Sequence, residues 1–566
     1  MLVSLQGKII HFFDMKRRGA GKLLLCFLFN CLGLISLNTF AQDLIQPVQG
    51  DILLSGNFGE LRATHFHSGI DIRTGGVEGW PVRCVKDGRL LRVSVSPTGY
   101  GRALYIGHAD GTTSVYGHLK QFVPRVEEQV RELQYRQESF KIDEDFSSRG
   151  IYFRQGDTIA YSGNSGSSGG PHLHFEIRTT RTEHPVNPLL YYTVRDTRPP
   201  VVRAAYLYAI DEHGVERFYR RCPLQNQGES IWSAGQLSVP GGLTGIGVYV
   251  TDYMNGSWNK LGVYRLTVEA GEDTLYSLKM DSCAFDDKCF INDIKDFDRY
   301  KKKETVYRCF GNYQDRFPGV RSRNKGYVRV MPDSLVKVTI RLEDINGNRS
   351  VVRLRLKGQA PSVPEYAPDE LLSYDRPHVM ELPGCRLELD SCSLFSSVRK
   401  SLRMEQDTVT GGNIYVLSET EIPLFKKGRL FLAGDFSRQS VLCEMNAAGR
   451  KFPVAARRTS AGLEAAVGYL NRYTVVEDSQ APVISWLGKF PDRTLRFRIK
   501  DDLSGIAVYR GEVNGQWCLF AYDPRVNLLQ CSLNEPVFRR GQLNEVRIFA
   551  EDYAGNRQEL VIKVQL

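Results

Sequence analysis

Of the ten histidines in the 566-residue chain, four candidate metal or acid/base positions, His67, His118, His172 and His174, fall between residues 45 and 192. Two of the surrounding patterns suit a metal. His67-Ser-Gly-Ile-Asp71 offers an imidazole and a carboxylate, and Pro171-His172-Leu-His174-Phe-Glu176 offers two imidazoles at i and i+2. On a strand that spacing sends both rings to one face, roughly 6 to 7 Å apart. Two imidazoles and a carboxylate make an N/N/O donor set for Zn2+, and three protein ligands leave one tetrahedral position for water, the open position that catalysis needs. Spacing does not rank His172 against His174. Either motif alone recurs by chance, so the information lies in their combination within one segment.

The elements that must position these residues read as strands. Residues 45 to 192 contain short alternating runs such as Ala103 to His108 and Thr112 to Tyr116, separated by turn signals such as Asp110-Gly111, and predict an all-β unit. One stretch departs from this. Val123, Val126, Val130 and Leu133 recur at helical spacing, and Pro124 suits a first helical turn, so residues 123–150 are expected to be a helical insertion.

From about Pro47 to Tyr191 the sequence resembles the lysostaphin and LytM type of zinc endopeptidase. The residues that carry the resemblance are Phe58-Gly59 with Arg62, His67-x-Gly-x-Asp71, Tyr116-Gly-His118-Leu119, Gly156-Asp-Thr-Ile-Ala-Tyr-Ser-Gly163, Gly166 and Ser168, and Pro171-His-Leu-His-Phe-Glu176. The resemblance implies an antiparallel β catalytic domain in which His67, Asp71 and His174 hold zinc, while His118 and His172 are unliganded catalytic histidines. It further implies peptide bonds of cell-wall peptidoglycan as substrate. Of the two free imidazoles, His172 is expected as general base and His118 as stabiliser of the oxyanion, with the roles exchangeable. Glycines and serines from Gly163 to Gly170 would let a substrate backbone approach closely. Some LytM-like proteins are instead catalytically silent and bind the wall or activate an amidase; they characteristically lack zinc ligands, and this chain lacks none. His65 and His184 read as surface residues and His108 as structural. Glu176 reads equally as a group orienting a ligand or as a plain polar residue.

The insertion departs from the simplest members of that family and is expected to act as a lid over the groove or as a docking surface. Beyond residue 195 an internal repeat is visible. Asp196-Thr-Arg-Pro-Pro-Val201 is echoed by Asp478-Ser-Gln-Ala-Pro-Val483, and Asp344-Ile-Asn-Gly-Asn348 by Asp552-Tyr-Ala-Gly-Asn556, with Asp252-Tyr-Met-Asn-Gly256 a weaker copy. The first pair reads as linkers and the others as hairpin turns. The expected organisation is residues 45–195 as the LytM-like domain, 196–357 and 478–566 as immunoglobulin-like β-sandwiches, and 358–477 as a β-rich domain of unclear type opened by Pro361, Pro364 and Pro368. No binding signature in these parts names a partner, although an envelope protein could dock on them.

Lys16, Arg17, Arg18 and Lys22 precede an apolar run from Leu23 to Leu37 and then Thr39-Phe40-Ala41, so residues 1–41 read as a signal peptide. The run is shorter than the roughly 20 apolar residues of a spanning helix, and no later stretch is long enough. An exported protein, periplasmic, envelope-associated or secreted, is expected. The formal charge is +10 for the whole chain, and Lys8, Lys16, Arg17, Arg18 and Lys22 against Asp14 account for +4 of it. The remaining excess makes no case for nucleic acid. Of twelve cysteines, Cys26 and Cys31 leave with the leader; close spacing suggests the pairs Cys283–Cys289, Cys385–Cys392 and Cys518–Cys531.

Overall fold

The computed structural model describes residues 44–361, 370–408 and 411–566. The expected leader, with Cys26 and Cys31, lies outside the described residues, as do Pro364 and Pro368. Among the described residues no helix is long and apolar enough to cross a membrane. The fold is all-β. Its N-terminal unit is built on β1 (Leu54–Gly56), β2 (Ile70–Arg73), β3 (Gly88–Val95), β4 (Arg102–His108), β5 (Thr112–Gly117), β6 (Ile142–Asp145) and β7 (His172–Thr179). They form one antiparallel sheet in the order β1-β2-β7-β5-β4-β3-β6. A three-stranded sheet of Pro81–Arg83, Thr158–Tyr161 and Gln121–Phe122 stands beside it.

Alternation along β7 explains how one strand serves both core and site. Leu173, Phe175 and Ile177 turn one way and are buried with Ile70, Ile72 and Tyr116. His172, His174, Glu176 and Arg178 turn the other way. A slip of one residue would drive four polar groups into the core and three apolar ones out, so the apolar face fixes the register on which the site depends. In that register His174 pairs with Asp71 of β2 on one side and Gly117 of β5 on the other.

The insertion is helical where expected, as α1 (Pro124–Gln137), with Val126, Val130 and Leu133 buried in the core of the sheet. Its second half returns as β6 and pairs with β3, at the sheet edge away from β1 and β2. The outer face of α1 meets the last sandwich: Arg131 bonds Glu535 at 2.6 Å, the Tyr135 hydroxyl bonds the same carboxylate, and the Tyr135 ring lies edge-on to Trp517 with centroids 5.0 Å apart. The docking alternative therefore describes the helix. A lid over β2 and β7 does not, because the helix spends its apolar face on the core.

The rest of the described chain forms paired sheets. β8 (Val201–Ile210) and β9 (Gly242–Thr251) lie in one sheet, and β10 (Leu335–Glu343) and β11 (Arg349–Gln359) in the sheet facing it. Residues 371–477 fold as two five-stranded sheets, a sandwich that its sequence did not announce. The last unit packs β12 (Val483–Lys489) and β13 (Thr494–Lys500) against β14 (Leu543–Asp552) and β15 (Arg557–Gln565). Asp344–Asn348 and Asp552–Asn556 are hairpin turns, as expected. The third copy is a wider loop from Asp252, closed by a bridge to Leu261. All ten described cysteines are free thiols, and the sulfurs of Cys518 and Cys531 lie 3.3 Å apart in the last sandwich.

Candidate metal centre

Three donor atoms converge on the polar face of β7. His67 Nε2 is 3.2 Å from His174 Nδ1 and 3.1 Å from Asp71 Oδ1, and His174 Nδ1 is 3.0 Å from the same oxygen. All three side chains are buried. Asp71 reaches the cluster from the middle of β2, directly across from His174, and His67 from the loop before it. That loop passes so close to β7 that a Cβ on Gly69 would lie 2.4 Å from the carbonyl of Phe175, which is why this position of the motif has no side chain.

The far side of each ring fixes which nitrogen faces the cluster. His67 Nδ1 is 2.8 Å from the carbonyl of Asn57, which can only accept, so the proton is on Nδ1 and the Nε2 lone pair points inward. His174 Nε2 is 2.7 Å from Glu176 Oε1, and the same logic leaves Nδ1 free toward Asp71. The other Asp71 oxygen takes a 2.9 Å bond from Arg62. Two unprotonated imidazole nitrogens and a carboxylate oxygen, buried and facing one point, fit a zinc ion. Without a cation the cluster favours a proton. Burial disfavours charge on His174, yet the Asp71 and Glu176 carboxylates push it up to about 9, while burial lowers His67. Burial would raise Asp71, but the surrounding imidazoles hold it well below the usual carboxylate range.

His118 and His172 stand beside the cluster with ring centroids 4.9 Å apart, and His118 lies 5.7 Å from the His174 ring. His118 follows β5 directly and takes a left-handed φ of 57°, a conformation unfavourable for a residue with a Cβ and of the kind that clusters at functional sites. The glycine-rich loop holds both rings. His118 Nδ1 donates to the Ser165 carbonyl at 2.8 Å, and His172 Nδ1 to the Gly170 carbonyl at 2.8 Å. His118 Nε2 is thereby left as an acceptor, while His172 Nε2 lies 3.3 Å from Asp71 Oδ1. Burial, with the neighbouring His174 and His172, pushes His118 down to about 3.

Glu176 is no plain polar residue. It is fully buried and also receives bonds from Ser68 (2.6 Å), Tyr100 (2.6 Å) and Arg178 (2.6 Å). Tyr100 had no signal in the sequence, because nothing local relates it to β7. Arg62 stood in the motif without a role. His65 and His184 are exposed, and His108 is buried between the Asp87 carbonyl and the Ser114 hydroxyl.

Residues 65–135 match Peptidase family M23. DD-carboxypeptidase/endopeptidase Mpg of Neisseria meningitidis serogroup B is 32% identical over 129 residues, 23% of this chain and 23% of that protein. Cell division protein DipM of Caulobacter vibrioides is 27% identical over 148 residues, 25% of this chain and 20% of the other. The catalytic domain of lysostaphin from Staphylococcus simulans is a similar solved structure, at 21% identity, with a TM-score of 0.19, covering 25% of this chain and 91% of that one. The N-terminal unit thus contains a Peptidase family M23 domain. The alignments span about a quarter of the Neisseria relative and less of the Caulobacter one.

Proposed function

We propose that the protein is an exported zinc metalloendopeptidase that cuts peptide bonds in the stem peptides or cross-links of peptidoglycan. The observation that carries this reading is the convergence of His67 Nε2, His174 Nδ1 and Asp71 Oδ1 within 3.2 Å of one another, with two further imidazoles beside them. Zinc held there would polarise a scissile carbonyl and make a water acidic enough to lose its proton near neutrality. His172, whose Nε2 is turned to the cluster, takes that proton and returns it to the leaving amine. His118, its Nδ1 proton committed to the Ser165 carbonyl, orients the water by accepting from it. An oxyanion-stabilising role would require His118 to carry a second proton, which its burial opposes.

Purified sacculi digested with the mature protein, with and without chelator, test the proposal by mass analysis of the fragments. New peptide termini that depend on zinc support it. Intact stem peptides in the presence of fully zinc-loaded protein would sink it in favour of a non-catalytic wall-binding role.

A further inference from the structure

A second kind of donor cluster lies outside the zinc site. Asp196, Asp252 and Asp344 each offer a carboxylate oxygen, and these oxygens all lie within 4.8 Å of one another. Asp196 sits in the linker that leaves the N-terminal unit, Asp252 directly follows β9, and Asp344 opens the turn between β10 and β11. Three anionic groups this close repel unless a cation stands among them or a proton is shared. Asp252 is only 3% exposed, and its Oδ1 has no hydrogen-bond partner at all. A buried carboxylate oxygen left unpaired is costly, and it indicates a missing partner. Arg198, the positive charge acting on Asp252, gives its guanidinium to the carbonyls of Met254 and Ser257 instead.

The same cage recurs in the last sandwich. Asp478, Asp501 and Asp552 also bring oxygens within 4.8 Å of one another. They occupy equivalent places: the linker before β12, the residue after β13 and the end of β14. Each turn aspartate is held alike. Asn348 donates its backbone N–H and its side-chain amide to Asp344 at 2.8 and 2.6 Å, and Asn556 does the same to Asp552 at 2.8 and 2.8 Å. The two amides also reach the linker carbonyls of Asp196 (3.2 Å) and Asp478 (2.7 Å). In the second cage the hydroxyl of Ser504, 5% exposed, is likewise without a partner, while its N–H bonds Asp478.

We propose that Asp196, Asp252 and Asp344 bind one Ca2+, and Asp478, Asp501 and Asp552 a second. An all-oxygen donor set selects a hard cation over zinc. Carboxylates that can bind through one or both oxygens suit the irregular shell of Ca2+, whereas Mg2+ keeps several waters, for which the buried Asp252 and Asp344 leave little room. Each ion would tie a linker to the pole of the sandwich it enters. The first would act close to the zinc domain, because the loop after Asp252 already touches β1 through Ser257 Oγ on the Leu54 carbonyl at 2.8 Å.

The test uses the zinc-loaded mature protein freed of calcium, with binding followed by calorimetry and melting by circular dichroism. Two equivalents of Ca2+ are expected, with dissociation constants of about 10⁻⁴ to 10⁻³ M. Each site should raise Tm by about 2 to 4 °C at tenfold excess over its constant. Asp252→Asn should lose one equivalent and Asp501→Asn the other, with zinc content unchanged. Asparagine is a mild replacement because it keeps the shape and removes the charge, and the wild-type stoichiometry decides the matter should one variant fail to fold. Absence of binding at millimolar Ca2+, an equal Tm rise with Mg2+, or full binding by both variants would overturn the proposal.

Discussion

Glu176 has the most partners of the side chains around the metal ligands. Its carboxylate meets His174, Arg178, Ser68 and Tyr100. Glu176→Gln keeps the volume but weakens the hold on the His174 tautomer, so zinc affinity should fall by about 10- to 100-fold in a competitive chelator titration. The buried Arg178 also loses its counterion, and stability should fall by about 3 kcal/mol in denaturant unfolding. The histidines should separate by measurement. His174→Ala should lose zinc, whereas His118→Ala and His172→Ala should keep it and lose about 10²- to 10⁴-fold in turnover. Wild-type rates in both of the latter would refute the roles assigned to them.

At the scale of elements, the loop from Arg62 to Phe66 that delivers His67 is held partly from outside its own domain. Lys295, fully buried in the first sandwich, donates to the carbonyls of Arg62 (2.9 Å) and Ala63 (2.7 Å). Asn57, whose carbonyl orients His67, is bonded through its side chain to both N–H and C=O of Gly262 (2.8 and 2.7 Å). Lys295→Met should therefore loosen the metal loop, lowering zinc affinity by up to about tenfold with the ligands untouched. The lysine also sets a pH signature. Burial pushes it down from 10.5 to about 8, so between those values the unfolded chain binds the proton that the folded chain has lost. Its contribution to stability should then rise with pH across that window. Denaturant unfolding of wild type and Lys295→Met from pH 7 to 10.5 checks this, and a gap that narrows as pH rises would contradict it.

At the scale of the whole molecule, the last sandwich folds back onto the N-terminal unit. Besides its contacts with α1, it sends Arg525 to the carbonyl of Ser168 (2.5 Å) and the side chain of Asn164 (3.3 Å), both on the loop that orients His118 and His172. A cavity of about 430 Å³ between the two units is lined by Lys120, Ser165 and Gly166 on one side and Tyr522, Asp523 and Arg525 on the other. Arg525→Ala should leave zinc content and Tm nearly unchanged, since the arginine is half-exposed, and lower kcat by up to about tenfold through a looser loop. A change in KM alone would show that the arginine touches substrate rather than the loop. Replacing the insertion by a short turn is expected to unfold the domain, because Val126, Val130 and Leu133 belong to its core.

The sequence by itself determined the donor types, the strand spacing of His172 and His174, the all-β class, a helix within residues 123–150 and the hairpin turns, because each is written in residues a few positions apart. It did not determine which imidazole of the pair ligates through which nitrogen, because that rests on Asn57, Glu176 and Gly170, groups placed by chain reversal. It left Glu176 undecided and Tyr100 unseen for the same reason: a hydrogen bond across 76 residues has no local pattern. The aspartates of the repeats read only as turn and linker residues, since their function as a cage appears when three distant segments meet at one pole. The insertion was legible as a helix, but the choice between lid and dock was not, because periodicity shows which face of a helix is apolar and not what waits on the other side.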